Sequence, residues 1–315
     1  MTPANVCVVA SYAVGLSMDV DRFPGPGETR IGSGFAQGPG GKGSNQAIQA
    51  SRLGAEVSLV ACVGDDGYGR EALNLWRDEG ISTEHVTVTG HQPTGVGFIM
   101  VDGSGQNSIA IDPGANNALE PAVIDAAHAA FERSAVCLVQ LEIPIASAAH
   151  ALKKAKEAGC ITVLNPAPAQ PIPAEVWGYV DVITPNEGEA AVVLGLEGTT
   201  DNDIGERLLE RVNLAAVVTL GEKGSRVLDK RGTAERVPAF PVSVRDTTGA
   251  GDAFTGAFGV RLAQGGDVAE AARWGSAAGA LACTVPGVVP SLPDEEALTG
   301  LLSKDGGGSA VEDNS

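Results

Sequence analysis

The stretch Asp246-Thr-Thr-Gly-Ala-Gly-Asp-Ala-Phe254 carries the densest chemistry in the chain. Gly249, Ala250 and Gly251 lead into an apolar helix of small residues, so their amides form a nest at a helix N-terminus. Such a nest suits an anion, or a negative charge that develops during a reaction. Asp252 falls in the first turn of that helix. It reads either as a cap that answers the helix dipole or as a general base beside an anion hole. The second reading is what phosphoryl transfer to a hydroxyl requires: a carboxylate takes the proton while amides hold the moving charge.

A second glycine cluster is Gly38-Pro-Gly-Gly-Lys-Gly-Ser-Asn45. It satisfies G-x-G-x-x-G at Gly38, Gly40 and Gly43, but that dinucleotide fingerprint belongs directly after the first strand of a βαβ unit. Here the first apolar strand ends near Ala10, which argues against a dinucleotide-dependent oxidoreductase. A P-loop also fails, because Lys42 is followed by Gly43 and the hydroxyl that would hold Mg²⁺ is missing. The glycines still let backbone amides approach a ligand, and a helix opening near Ser44 offers free N–H groups. Lys42 and Asn45 add directed donors. A ligand loop and a plain tight turn both fit this cluster.

The elements that must position these clusters read as α/β. Short continuous apolar runs at Val6–Ala10, Val57–Val63, Ala135–Leu141, Ile161–Leu164, Val180–Thr184 and Ala216–Leu220 predict buried strands. Helices are expected between and after them, at Asn45–Leu53, Arg70–Glu79, Ile145–Ala158, Ile204–Val212, Ala253–Ala263 and Val268–Cys283. Continuous strands separated by amphipathic helices predict a parallel sheet covered by helices on both faces. Two segments break the rhythm. Ala13–Pro39 is rich in Gly and Pro, and Thr94–Asp112 holds two alternating runs around a turn at Asp102–Asn107. They predict a small antiparallel β lid over the core, with surface loops and one edge hairpin as the plainer alternative. The expected division is therefore a core of residues 1–12, 40–93 and 113–303, a lid of 13–39 and 94–112, and a disordered tail of 304–315.

Composition narrows the function classes. The chain has 315 residues and a net charge of −18, with no electrostatic footprint for nucleic acid or an anionic membrane. A polyanion such as a nucleotide would be held through local amides, a few cations and metal ions. The five cysteines (Cys7, Cys62, Cys137, Cys160 and Cys283) form no C-x-x-C pair and sit mostly in apolar runs, as small core residues in a reducing compartment do. With no basic apolar leader and no run of ~18 apolar residues, a cytoplasmic protein is expected.

Five segments occur in order: G-G-K-G-S-N-Q-A at Gly40–Ala47, N-P-A-P-A at Asn165–Ala169, T-P-N-E-G-E at Thr184–Glu189, T-L-G-E-K-G at Thr219–Gly224 and D-T-T-G-A-G-D at Asp246–Asp252. Together they resemble the signature segments of the ribokinase family, the phosphofructokinase-B-type carbohydrate kinases, from Val6 to about Pro293. The resemblance implies an ATP-dependent kinase acting on a primary hydroxyl of a pentose or pentose-like sugar. It makes Asp252 the base and Gly249, Ala250 and Gly251 the anion hole. Gly41, Lys42, Asn45 and Glu142 would contact the sugar. Asn186 and Glu189 would orient Mg²⁺ and its waters, while Thr219, Gly221, Gly224 and Ser276 would line the nucleotide. Asp246, Thr248, Ala282, Val285, Gly287 and Ser291 would hold K⁺. The lid would close over substrate, expel water and form a homodimer interface.

One departure stands out. Counting back from Phe23–Thr29, the family's Asn-x-Asp, which reads the vicinal hydroxyls of ribose, falls here on Ala13 and Gly15. D-ribose is therefore expected to be a poor substrate. A nucleoside kinase of the same family remains a second reading. A third is a sugar sensor that no longer turns over, although a sensor needs none of the phosphoryl-transfer residues kept at Asp252, Gly249–Gly251, Asn186 and Glu189.

Overall fold

The unbroken apolar run near the N-terminus becomes a central strand whose alternate side chains feed two separate cores. Val6, Val8 and Ala10 join one buried cluster, whereas Cys7 and Val9 join another. The period of two is present but invisible in the sequence, because both faces are covered. The computed structural model describes residues 4–196 and 203–306. In chain order its strands are β1 (Asn5–Ala10), β2 (Ala13–Asp19), β3 (Ser33–Gly40), β4 (Glu56–Gly64), β5 (Ser82–Thr89), β6 (Gly95–Val101) and β7 (Asn107–Asp112). They continue with β8 (Val136–Gln140), β9 (Ile161–Asn165), β10 (Val182–Ile183), β11 (Ala215–Thr219), β12 (Ser225–Asp229) and β13 (Ala234–Val237).

The main sheet runs β13-β12-β11-β10-β9-β8-β1-β4-β5. From β5 to β11 every pairing is parallel, and β12 and β13 extend the edge antiparallel. Helices Lys42–Arg52, Ala250–Ala263 and Val268–Ala282 bury Ile48, Phe258 and Ala277 on one face. Helices Ile145–Glu157, Glu187–Leu194 and Ile204–Arg211 bury Leu152, Val193 and Leu208 on the other. Each fully buried side chain of the size of Ile48 or Leu152 is worth ~1.5–3 kcal/mol of transfer free energy, so both layers are held by packing. Cys7, Cys62, Cys137 and Cys160 lie in the second core, and all five cysteines are free. Burial pushes the Cys62 thiol up to about 11 and the Cys160 thiol to about 12, which leaves them inert. Among the described residues no helix is long and apolar enough to cross a membrane.

The remaining strands form a second sheet, β3-β2-β6-β7. Its outer pairings are antiparallel, while its central pairing, β2 with β6, is parallel. Both central strands enter this sheet from the same end of the main one, β2 following β1 and β6 following β5, so they run alongside each other. Asp66 ties the root of this sheet to the core. Its carboxylate caps helix Gly67–Asp78 through Gly69 N at 2.8 Å and also accepts from Thr94 N at 2.7 Å.

Several helices begin one turn earlier than their apolar periodicity suggests: at Lys42 rather than Asn45, at Gly67 rather than Arg70, and at Ala250 rather than Ala253. These first turns are mostly glycine, serine and charged residues, with only Tyr68 and Ala250 besides, too little to carry an apolar period. β10 shrinks to Val182–Ile183 because the Asp181 carboxylate takes the Thr162 amide at 3.1 Å. Helix Glu295–Gly306 runs through Lys304, the expected start of the tail; the rest of that expectation lies outside the described residues.

Candidate active site

Most of the candidate residues gather where the parallel strands end. Ser11 follows β1, Glu142 follows β8, Asn165 closes β9, Thr184 and Asn186 follow β10, and Thr219 closes β11. In open parallel sheets ligands bind beyond these carboxyl ends, at a strand whose neighbours connect in opposite directions. β1, set between β4 and β8, is that strand. There Ser11 Oγ donates to Glu142 Oε2 at 2.6 Å, and the Lys42 amide donates to the same oxygen at 2.8 Å.

Packing dictates the first glycine cluster. Gly41 has φ 92°, and a Cβ on it would lie 2.7 Å from Tyr12 Cα. A Cβ on Gly43 would lie 2.4 Å from Ala10 Cα. The helix that starts at Lys42 is thereby pressed against β1, and Trp76 Nε1 fixes its first turn by donating to Ser44 Oγ at 2.9 Å. The same turn presents Lys42 and Asn45 to Asp252.

Gly249 caps helix Ala250–Ala263 in the left-handed region, φ 82°, with a would-be Cβ 2.7 Å from Val288 Cγ1. A Cβ on Gly251 would meet nothing within 4 Å, so its backbone lies open to the cleft. Asp252 is buried. Asn45 Nδ2 donates to its Oδ2 at 2.8 Å, and Gln46 Nε2 approaches its Oδ1 at 3.4 Å. Burial raises the Asp252 pKa above the ordinary aspartate value; Lys42 and the Asn45 donor pull the other way without cancelling it. Burial of the Lys42 ammonium works against its charge, but Asp252, Glu142 and Glu189 outweigh that and leave its pKa raised. Asn45 Oδ1 is buried with no partner among the described residues, an unused acceptor beside Asp252.

Asn186 and Glu189 form a capping box at helix Glu187–Leu194: Glu189 N donates to Asn186 Oδ1 at 2.8 Å and Asn186 N to Glu189 Oε2 at 2.9 Å. A backbone bridge joins Asn186 to Thr219. Lys42, Asn186, Glu189, Thr219, Gly251 and Asp252 all line one cleft. Gly221 and Gly224 flank a short turn after β11, both at positive φ, with Gly224 pressed on the Val237 carbonyl. Ser276 stands on the helix behind Asp252, and its buried Oγ has no partner among the described residues.

Asp246 bridges two loops, accepting from Thr248 N and from Gly287 N, each at 2.9 Å. Burial would raise its pKa, but these donors win and hold it below the usual aspartate range. Ala282 ends helix Val268–Ala282, Val285 is exposed in the following loop, and Ser291 Oγ donates to the Val288 carbonyl at 2.7 Å. Ala13 and Gly15 lie on β2, outside the cleft, opposite Gly40 and Gly38 of β3. Gln46 and Gln140 were not singled out from sequence. The available signal was Gln140 itself, a polar residue closing an apolar strand.

A buried carboxylate beside a helix-terminal amide nest, at the carboxyl edge of a parallel sheet, suits phosphoryl transfer to a hydroxyl. The pfkB family carbohydrate kinase pattern matches residues 3–295, and the chain belongs to that family. It is 37% identical to a ribokinase of Haemophilus influenzae over 93% of this chain and 96% of that one. A ribokinase structure from Thermotoga maritima superposes with a TM-score of 0.86 at 35% identity, covering 95% of this chain and 99% of the other. An Arabidopsis thaliana ribokinase complexed with ribose and ATP superposes at 0.89 with 30% identity, covering 96% and 99%.

Proposed function

We propose that this chain transfers a phosphoryl group from ATP to a primary hydroxyl of a pentose or pentose-like sugar. The observation that carries the reading is Asp252, buried between the Asn45 amide and the Gly249–Gly251 helix terminus, with Lys42 on the same cleft. Asp252 takes the proton from the sugar hydroxyl as it attacks. The amides of Gly249, Ala250 and Gly251 hold the charge of the moving phosphoryl group. Gly41, Lys42, Asn45 and Glu142 fix the sugar, and Asn45 Oδ1 accepts one of its hydroxyls. Thr219, Gly221 and Gly224 line the nucleotide, with Ser276 near its base; the Ser276 hydroxyl has no partner among the described residues.

Asn186 and Glu189 bring oxygen donors to the cleft, which fits Mg²⁺ held through its waters; the ion neutralises charge on the nucleotide phosphates. Asp246 and Thr248, with Ala282, Val285, Gly287 and Ser291, form the K⁺ site beside the anion hole, an assignment supported by the Asp246 link between the two loops. The small sheet is the lid, cut at residues 13–39 and 94–112. Phe35, Phe98, Ile109 and Ile111 are all more than half exposed on it, which supports a homodimer formed through the lid. Free cysteines agree with the cytoplasm, where ATP is supplied.

ADP release with ATP, Mg²⁺ and a panel of pentoses, hexoses and nucleosides tests the function. Turnover is expected with a pentose-like sugar, and silence across the panel would refute the reading. In the same assay, exchanging Na⁺ for K⁺ at constant ionic strength is expected to raise the rate, and omitting Mg²⁺ to abolish it. Fixed ionic strength matters because a chain of charge −18 responds to screening alone. Equal rates in Na⁺ and K⁺ would remove the site at Asp246.

A further inference from the structure

Gln46 is fully buried one residue beyond Asn45, within a run of amides that starts at a backbone carbonyl and ends on Asp252. The Thr184 carbonyl can only accept, so Asn165 turns Nδ2 to it, at 2.9 Å, and its Oδ1 faces Gln46. That oxygen needs a donor, which makes the near end of Gln46 its Nε2, at 3.2 Å. The far end, Oε1, then accepts from Gln140 Nε2 at 2.6 Å. A side-chain amide can flip only by exchanging donor for acceptor at both ends, and here both ends are fixed. The other N–H of Gln46 is thereby aimed at Asp252 Oδ1, at 3.4 Å, while Asn45 holds Oδ2. Consecutive residues of one helix thus place an amide donor against each carboxylate oxygen.

We propose that Gln46, oriented by Asn165 and Gln140, is a positioning residue that keeps the Asp252 carboxylate ionised and aligned for proton abstraction. The inference rests on Asp252 being the base. The charged groups that act on Asp252 are Lys42, on the same helix as Gln46, and Glu142, beyond β8; Glu189 acts on Lys42 from the cleft wall. Without the Gln46 donor, burial and Glu142 are opposed by Lys42 and Asn45 alone. The carboxylate then protonates at higher pH and is free to turn about its remaining hydrogen bond.

Gln46→Met keeps the length and bulk of the side chain and removes both amide ends. Turnover is expected to fall ~10–100-fold, with KM for sugar and ATP little changed and the acid limb of the kcat–pH profile moved to higher pH. Gln140→Met does not touch Asp252 and adds no charge. It removes the donor to Gln46 Oε1, loosens the Gln46 amide and should move the same limb in the same direction by a smaller amount; it also serves if Gln46→Met does not fold. An acid limb that stays in place in either folded variant overturns the proposal, as does a loss confined to KM. If Asp252→Asn itself keeps full turnover, the base assignment fails instead, and the two failures are separable.

Discussion

Asp252→Asn is expected to lower kcat by ~10²–10⁴-fold, the usual contribution of a general base, while ATP binding and the fold survive. Asn keeps the size of the side chain and one acceptor oxygen but cannot take the proton. The alternative is a helix cap, since Asp252 also stands in the first turn of helix Ala250–Ala263. Stability separates the two roles. Folding raises the Asp252 pKa, chiefly through burial. A group raised in this way favours the fold below its unfolded-state pKa, and that contribution is lost as pH climbs through the folded-state value. At neutral pH the buried carboxylate therefore costs stability, and Asn should leave the melting temperature unchanged or higher. A residue serving only the helix dipole would instead cost ~0.3–1 kcal/mol on removal and leave turnover alone. In the wild type, the acid limb of kcat should lie above the ordinary aspartate pKa of ~3.9. A variant retaining more than a third of wild-type turnover would return Asp252 to the cap.

Much of this frame is legible in the residues, and the exceptions share physical causes. Strands such as β1, β4 and β8 are buried on both faces, so continuous apolar runs mark them. β5 escapes because it closes the sheet with a mixed Ser-Thr-Glu-His run, half wet. β12 and β13 escape because an antiparallel edge needs only short, partly polar strands. The parallel join of β2 to β6 has no local signal at all, since it is set by where two distant chain segments leave the main sheet. The glycine clusters and Asp252 are visible because they are contiguous. The relay through Gln46, Gln140 and Asn165 is not, because its members are far apart in sequence and meet only when helix Lys42–Arg52 packs at the ends of the paired strands β8 and β9.

D-ribose is expected to be a poor substrate, with a high KM, and a modified or differently branched sugar is expected to be preferred. The positions that would read the vicinal hydroxyls fall on Ala13 and Gly15, and the strands beside them are equally bare. Gly15 pairs with Gly38 on one side and Gly97 on the other, and Ala13 pairs with Gly40 and Gly95. Packing does not explain the glycine at 15: a Cβ there would meet only Ile99 Cδ1 at 3.5 Å and the Gly38 carbonyl at 3.7 Å, ordinary contact distances. A Cβ at position 15 would therefore fit, and the residues paired with Ala13 and Gly15 bring no polar side chain to replace the missing Asn and Asp. A hydrogen bond to a charged group is worth ~1.5–3 kcal/mol, so the missing carboxylate alone weakens selection for a 2,3-diol ~10–150-fold. The transferred phosphate is still expected on a hydroxyl near Asp252, because Glu142 holds the Lys42 amide and Asn45 holds Asp252 without any side chain of Ala13 or Gly15. Steady-state kinetics decide the matter. A kcat/KM for D-ribose of ~10⁴ M⁻¹s⁻¹ or more, unmatched by other sugars, would mean that the diol is bound by other groups. Gly15→Asp gives the complementary result: a Cβ at position 15 makes only ordinary contacts, so ribose use should improve if the diol lacks a partner and stay unchanged if the diol is already held.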